Sequence, residues 1–271
     1  MEKIKTLEQY KELVLGFRKQ EYLLSNCFFL PEEIYRKTSE GRIYFQRIVN
    51  GALILDDQDS FFRCYYFLSN KGNLERIVLS KNAVIEFPYN GEMNDKQRIQ
   101  EEMIQKLGFV LGRKSGIMMA NIKQIVCMDD QEGNKKVFHA DTCDIPEINL
   151  ILNENFDPLY AFLPKGNELY ALVKEKKVFI VRDEDAIKAV LVSDFDKRNA
   201  SIKQLTVKKT ERRRGFGKAL INSYHQQYWS DLTVFKHWVD LNNAPAINMY
   251  QAFGYQFHLR KANEYIMLKG E

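Results

Sequence analysis

A basic, glycine-rich segment, residues 201–228, carries the clearest chemical signal in this sequence. Residues 202–207 have strand composition, a basic turn follows, and an amphipathic helix begins at the glycines. The turn contains Arg212, Arg213, Arg214, Gly215 and Gly217. Free N–H groups at a helix start and nearby arginines attract anionic oxygen, and glycines allow close approach. The segment therefore predicts an anion-binding turn; the alternative is a surface turn with solvated arginines.

A second segment of interest follows a predicted strand at residues 237–241. Asn243 and Ala246 come at the end of this strand, and a short predicted helix carries Tyr250. A phenol with a pKa near ~10 keeps its proton at neutral pH and can donate it. Tyr250 is therefore a candidate proton donor; the alternative is a helix core residue packed on Phe253.

Together the two segments resemble a known family. Arg212-x-x-Gly215-x-Gly217 resembles the acetyl-CoA-binding signature of the GNAT N-acetyltransferases, and residues 239–255 are similar to that family's strand–Asn–helix–Tyr segment, with Tyr255 where Phe is usual. The resemblance covers about residues 140–271. It implies an acyltransferase that moves an acetyl group from acetyl-CoA to a primary amine of a small molecule or peptide by direct attack. The alternative is a non-catalytic sensor or scaffold that binds acyl-CoA.

The resemblance also implies roles for individual residues. The backbone of the turn would hold the pyrophosphate, a splayed strand would pair with the pantetheine arm and polarise the thioester oxygen, and Tyr250 would protonate the departing thiolate. The cofactor-binding residues implied in this way are Leu205, Thr206, Val207, Arg212, Arg213, Arg214, Gly215, Phe216, Gly217, Lys218, Asn243, Ala246 and Tyr250.

The sequence assigns no general base. Gln204 stands where many family members have a glutamate, and a neutral amide cannot take a proton. The nearby carboxylates are Asp194, Asp196 and Asp240, and a surface or hydrogen-bonded structural role is the simplest interpretation of each. Gln204 slightly favours the binding protein, but a free amine whose pKa is lowered in the pocket needs no strong base, so the absence of a glutamate leaves both functions open.

Bulk composition restricts the partners. The 271 residues are 45% hydrophobic with a formal net charge of +4, too small an excess to argue for nucleic acid. No apolar run approaches the roughly 20 residues of a membrane span, and the start of the chain lacks a signal-peptide core. Four scattered cysteines indicate free thiols in a reducing cytoplasm and, without histidine spacing, no metal site. We expect a cytoplasmic protein that is a monomer or a homodimer.

The two halves of the chain resemble each other. Residues 51–69 and 178–195 both read as a strand, an acidic tip and a second strand, and each half continues with a strand, a helix and another strand. We predict an α/β fold of two GNAT-like halves, each a mostly antiparallel twisted sheet flanked by helices. Residues 1–135 would form a degenerate domain without the cofactor turn, and residues 136–271 the acetyltransferase domain.

Three local predictions bear on how the halves are built. Residues 7–26 carry helical periodicity, residues 157–162 read as a short helical piece, and residues 255–259 with 265–268 read as a closing hairpin. The first half leaves no room for an arginine-glycine turn, so we expect one cofactor site. The substrate would lie in a cleft bordered by the first half and residues 156–164.

Overall fold

The structure is a computed structural model that describes residues 1–18, 23–69, 73–126, 136–183, 186–230 and 233–270. Its strands are β1 (Glu2–Lys3), β2 (Leu23–Ser25), β3 (Ile43–Ile48), β4 (Gly51–Asp57), β5 (Phe61–Ser69), β6 (Asn82–Asn90), β7 (Val110–Asn121), β8 (Val137–His139), β9 (Val178–Asp183), β10 (Ala186–Asp196), β11 (Asn199–Val207), β12 (Val234–Asp240) and β13 (Gln256–Met267). Its α-helices are α1 (Leu7–Arg18), α2 (Pro31–Ser39), α3 (Asp95–Lys106), α4 (Ile145–Asn155), α5 (Asn167–Lys174), α6 (Phe216–Gln227) and α7 (Ala244–Ala252).

The chain forms two compact units. Unit 1 comprises Met1–Lys114 and Arg260–Glu271, and unit 2 comprises Ser115–Leu259. The last strand of each half of the sequence thus contributes to the other unit: most of β7 lies in unit 2 and most of β13 in unit 1. The predicted division after residue 135 stays a prediction, and it falls within residues 127–135, which are outside the described residues.

Both units have the same strand order. Unit 1 runs β1-β3-β4-β5-β6-β13, and unit 2 runs β8-β9-β10-β11-β12-β7. Within the described residues, β5 pairs with β6 in parallel in unit 1 and β11 pairs with β12 in parallel in unit 2, and the other pairs of this order are antiparallel. The predicted fold class, mixed α/β sheets in two similar halves, is confirmed.

Helices cover both faces of the sheet in unit 1. Apolar side chains of α1 and α2 pack on one face, with Val14 and Ile34 against Phe45. On β4, Ala52 and Ile54 belong to this first layer. Leu53 and Leu55 alternate with them along the strand and pack on the other face with residues of α3. Strands buried on both faces explain the nearly continuous apolar run of β4.

Unit 2 is built in the same way, and its helices fix the elements of interest below. Side chains of α6 and α7, among them Leu220 and Tyr250, pack on one face with Leu191 of β10. Side chains of α4 and α5 pack on the opposite face with Val190 and Val192. The start of α6 and the end of β11 are held in the first of these layers, through Phe216, Leu205 and Val207.

The predicted closing hairpin is wrong, because β13 is one continuous strand that pairs with β6 from Arg260 to Met267. Of the polar residues between the two predicted strands, Asn263 and Glu264 are buried in the sheet instead. Asn263 donates to Glu101 Oε1 at 3.3 Å, and Glu264 accepts from Arg113 at 2.7 Å. These partners satisfy the polar groups at strand positions, which a local pattern does not reveal.

Two helix predictions also need correction. The helix predicted over residues 7–26 ends at Arg18, residues 19–22 lie outside the described residues, and Leu23–Ser25 is a strand paired with β5. Residues 157–162 form a turn rather than a helix, with the Asp157 carboxylate accepting the Leu159 N–H at 2.9 Å. In the described part of the chain, no helix is both long and apolar enough to cross a membrane.

Candidate functional site

The glycine turn joins β11 to α6 through two residues in left-handed conformations. Gly215 caps α6 with φ 79°, and Arg213 has φ 65°. The first intrahelical hydrogen bond runs from Ala219 N to Gly215 O at 3.1 Å, so the N–H groups of Gly217 and Lys218 precede it. The positive φ at Gly215 explains why glycine is required there. The helix N-terminus and its partial positive charge thus lie at the predicted anion site.

The three arginines of the turn have different roles. Arg212 holds the turn to the end of β11 by donating to Val207 O, and it also reaches Asn155 Oδ1, both at 3.3 Å. Arg214 forms an ion pair with Glu211. The exposed Arg213 makes no hydrogen bond or ion pair with a described residue, so its guanidinium is the one of the three that remains available to an anion.

The parallel pairing of β11 and β12 stops halfway along β11. It runs over four residue pairs, from Asn199↔Val234 to Ile202↔His237, and goes no further. Beyond that point β11 continues to Val207 paired only with β10, and β12 continues to Asp240 paired with β7. Leu205, Thr206 and Val207 therefore present a backbone edge that the sheet does not use, as the predicted splayed strand requires.

A β-bulge at the same point decides which side chains face which side. Ser193 pairs with Ile202 and Val192 pairs with Gln204, so Lys203 is the extra residue of β11. The bulge reverses the alternation of side chains. Leu205 and Val207 consequently pack with the layer of α6 and α7, whereas Gln204 and Thr206 face the layer of α4 and α5.

Tyr250 lies where β11 and β12 separate. Its ring centroid is 3.5 Å from that of His237, which belongs to the last parallel residue pair, and only 6% of Tyr250 is exposed. Burial raises the pKa of its phenol, so the group carries its proton across the physiological range. The structure therefore brings Tyr250, the open edge of β11 and the glycine turn together in one unit, while the role of Tyr250 in chemistry stays a prediction.

Asn243 has a structural task in addition to its predicted one. Its side-chain oxygen accepts the Ala246 N–H at 3.2 Å and caps α7, and Ala246 is partly buried against the layer of α6 and α7. This cap fixes the start of the helix that carries Tyr250. Contact of Asn243 and Ala246 with a cofactor stays a prediction.

Two histidines, for which the spacing along the chain indicates only solvated or structural roles, are buried in this layer, His237 against the Tyr250 ring and His225 beside Tyr255. Among the described residues, neither ring nitrogen of His237 has a hydrogen-bond partner, and burial, with a smaller effect of His225, lowers its pKa to about 3. His225 Nε2 lies 2.8 Å from the Tyr255 hydroxyl, and burial lowers the His225 pKa to about 4. The alternation of Phe235, His237 and Val239 on one face of β12 was the available signal.

The candidate bases are occupied elsewhere. Burial raises the pKa of Asp194, but Lys177 at 3.0 Å and Lys203 at 3.8 Å outweigh that effect and leave it below its usual value. Asp240 Oδ1 accepts the Asn242 N–H at 2.9 Å, and Asp196 is the exposed last residue of β10. Within the described residues, none of the three makes a contact with Gln204.

Unit 1 closes the gap that unit 2 leaves open. Its parallel pair, β5 with β6, likewise ends early, at Arg63↔Val84, but β2 then pairs with the free part of β5. Asn26 completes the closure: its Oδ1 accepts the Tyr66 N–H at 2.8 Å and its Nδ2 donates to Glu86 O at 3.2 Å. The described residues between β5 and β6 also contain no helix. The edge that could pair with a pantetheine arm is therefore used by the chain itself.

We expect Asn26→Leu to destabilise unit 1 by about 1–3 kcal/mol, because it leaves a backbone N–H of β5 and a carbonyl of β6 without partners. Asn26→Asp keeps the acceptor and should cost less. Urea unfolding of the purified protein measures both, with exposed Asn248→Leu as the control. Equal stability of the Asn26→Leu and control variants would contradict a structural role for this bridge.

Comparison with known proteins identifies part of the chain. Residues 174–257 match the family model described as the acetyltransferase (GNAT) domain. The match includes β11, the glycine turn, α6 and α7. The predicted resemblance to this family is confirmed. No curated protein matches the sequence significantly.

Solved structures share the fold at low sequence identity. A GCN5-related N-acetyltransferase from Sphaerobacter thermophilus has a TM-score of 0.57 at 10% identity, covering 92% of this chain and 96% of that one. An acetyltransferase from the GNAT family of Colwellia psychrerythraea gives 0.52 at 11%, with 99% of both chains covered. A tandem GNAT protein from the clavulanic acid biosynthesis pathway gives 0.51 at 11%, with 82% and 79% covered. At these identities the likeness shows the fold alone.

Proposed function

We propose that this chain, whose residues 174–257 form a GNAT acetyltransferase domain, transfers an acetyl group from acetyl-CoA to a primary amine of a small molecule or peptide by direct attack. One observation carries the proposal. The unpaired edge of β11 runs from the β-bulge at Lys203 to the glycine turn, and Tyr250 lies at the start of that edge. Cofactor and proton donor can therefore act on the same thioester.

The cofactor would follow this edge. Its pyrophosphate accepts hydrogen bonds from the first N–H groups of α6, with Arg213 and Lys218 supplying positive charge. The pantetheine arm pairs with the backbone of Leu205 to Val207, and an N–H of this edge polarises the thioester oxygen. The terminal acetyl group then lies near the bulge, between Gln204 on one face and Tyr250 on the other.

The reaction needs two proton movements. The amine nitrogen attacks the carbonyl carbon, the C–S bond breaks, and the nitrogen loses a proton to solvent water. The thiolate leaves and takes the proton of the Tyr250 hydroxyl, which the buried phenol retains at neutral pH. Tyr250 would therefore act as general acid.

A binding protein without turnover is the second candidate. The observation that favours it is Gln204, a neutral amide at the position where a base would be expected. Incubation with acetyl-CoA and a panel of amines, polyamines, amino acids and peptides separates the two. Amine-dependent release of the CoA thiol is the expected result, and a thermal shift with acetyl-CoA but no release with any amine would favour the sensor.

We expect one acetyl-CoA per chain, because unit 1 fills its strand gap with β2 and Asn26 and has no glycine turn among its described residues. Isothermal titration of the full chain measures the stoichiometry. A value near two would contradict the closed gap of unit 1.

The remaining parts of the proposal concern location. Cys27 and Cys64 are buried cysteines that form no disulfide with a described residue, which supports the reducing cytoplasm. The position of the acceptor cleft beside residues 156–164 and the choice between monomer and homodimer stay predictions.

A further inference from the structure

Gln204 is the one side chain at the bulge whose polar group is only half satisfied. The residue is 4% exposed, its Nε2 donates to Phe162 O at 2.8 Å, and its Oε1 is buried without a hydrogen-bond partner among the described residues. The bond to a carbonyl fixes which end of the amide carries the nitrogen, so Oε1 is the end that remains. A buried acceptor of this kind is costly unless a ligand supplies the donor.

The position of this acceptor matches the predicted chemistry. Gln204 follows the bulge residue Lys203 directly, and it is the first residue of the part of β11 that no longer pairs with β12. Its side chain lies on the face opposite Leu205 and Tyr250, where α4 and the turn after it cover the strand. An acceptor amine that approaches the thioester from this face would meet Oε1 with an N–H group.

Carboxylates on the elements around Gln204 are either engaged in other hydrogen bonds or ion pairs, or exposed. Glu147 of α4 accepts from Lys208 Nζ at 2.8 Å and from Ile187 N at 3.2 Å. Asp157 caps its own turn, Asp194 is paired with lysines, and Glu154 is exposed. The other charged or titratable groups on these elements and on β12 are Tyr160, Lys165, Lys203, Lys236, His237 and Asp240. Within the described residues, none of these carboxylates has a contact with the Gln204 amide.

We infer that Gln204 positions the attacking amine by accepting one of its N–H groups, and that the acceptor is a weakly basic amine that enters already deprotonated. This inference rests on the proposed function and names the substrate class of the same site. A neutral acceptor orients a nitrogen that has a free lone pair, but it cannot remove the proton of an ammonium group. An α-amino group of a peptide, with a pKa near ~8, or an arylamine fits this description.

The preference expected for a weakly basic acceptor follows from the fraction of each amine that is unprotonated at neutral pH. At pH 7.5 an α-amino group with a pKa near ~8 is about one-quarter unprotonated, whereas a lysine-like amine with a pKa near ~10.4 is only about 0.1% unprotonated. The difference is roughly 200-fold in reactive concentration. The greater nucleophilicity of the stronger base offsets part of it, so a weakly basic amine should still be preferred.

The test compares the pH dependence of kcat/KM for two amines, a peptide α-amino group and a primary alkylamine, with saturating acetyl-CoA. In the wild type, the pH at which kcat/KM levels off should move with the amine by about 2 units, as the pKa difference requires. In Gln204→Glu, the new carboxylate can take a proton from the ammonium form of the amine. The rise of kcat/KM at low pH should then follow the pKa of this carboxylate and occur at the same pH for both amines. A wild-type limb at one pH for both amines would show an enzyme base and overturn the inference.

A second variant separates positioning from folding. Gln204→Met has similar length but neither the acceptor nor the donor to Phe162 O, and it should lower kcat/KM for the amine roughly 10-fold. The Kd for acetyl-CoA and the melting temperature should change little, because removal of the buried, unpaired Oε1 offsets the lost hydrogen bond. Lys203→Met, at the exposed bulge position, is the matched control and should retain the wild-type kcat/KM. Unchanged kcat/KM in Gln204→Met overturns the inference. Binding of acetyl-CoA without thiol release from any amine instead overturns the proposed function, and the inference with it.

Discussion

Acetyl-CoA should raise the melting temperature of the wild-type protein, and Gly217→Trp should abolish that shift. At a cofactor concentration of 100 times Kd, binding stabilises the folded state by about 2.7 kcal/mol. For a protein of this size this corresponds to an increase of roughly 5–10 °C. Differential scanning fluorimetry with and without acetyl-CoA measures the effect directly.

The surroundings of Gly217 explain why a large side chain is expected to block binding. A Cβ at this position would lie 3.4 Å from Met249 Sδ, 3.8 Å from Leu205 Cδ2 and 3.8 Å from Val207 Cγ2. These are ordinary contacts, so Gly217→Ala should fold and keep most of the shift. An indole must instead displace these side chains or project from the first turn of α6, where the pyrophosphate is proposed to bind.

Two outcomes would contradict the proposed site. An equal thermal shift in Gly217→Trp would place the cofactor elsewhere, and no shift of the wild type with any CoA ester would remove acyl-CoA binding altogether. If Gly217→Trp lacks a cooperative unfolding transition, Arg213→Glu tests the same turn. Arg213 is exposed, so reversing its charge should weaken acetyl-CoA binding at least ~10-fold without loss of the fold.

Replacement of Tyr250 by phenylalanine should lower kcat by about 10²- to 10⁴-fold and leave the Kd for acetyl-CoA nearly unchanged. The range is that expected for loss of a general acid. The phenylalanine ring keeps the contact with His237, so the packing of α7 on β12 should be preserved. Discontinuous assays of thiol release give kcat, and isothermal titration calorimetry gives the Kd for acetyl-CoA.

A matched control distinguishes proton donation from the loss of any buried hydroxyl. Tyr224 belongs to the same apolar layer, and its hydroxyl is buried without a hydrogen-bond partner among the described residues. Tyr224→Phe should therefore retain both stability and kcat. Equal kcat in Tyr250→Phe and the wild type would show that Tyr250 is a packing residue of α7 only.

The local elements of the second half could be predicted from the sequence because their signals are contiguous. Residues 201–228 contain the basic turn, Gly215 at a left-handed position and the periodic apolar residues of α6. Each of these features depends only on residues a few positions apart in the sequence. Asn243 at the start of α7 is a similar local signal, and the structure shows it as a helix cap. These features suffice for the family resemblance, which the match of residues 174–257 confirms.

The bulge at Lys203 and the half-satisfied amide of Gln204 could not be predicted in this way. The sequence showed a neutral residue at an expected base position, but the side chain's face depends on register against β10. Burial of Oε1 depends in addition on the Phe162 carbonyl, 42 residues away along the chain. The register of β11 and the contact with Phe162 depend on where separate elements lie in space, and the periodicity of residues along one element carries no information about that.

The sequence by itself determined which half carries the arginine-glycine turn that is proposed to bind the cofactor, because the turn is a contiguous run of glycines and arginines. Only the tertiary structure shows how the gap between β5 and β6 in the other half is closed. Leu23–Ser25 reads as the end of a helix, yet it pairs with β5, and Asn26 joins Tyr66 to Glu86 across 40 and 60 residues of sequence. It also decided that β7 and β13 each serve the opposite unit. Strand pairing is a choice among distant backbone partners with the same hydrogen-bonding groups, so side-chain patterns along one segment leave it undetermined.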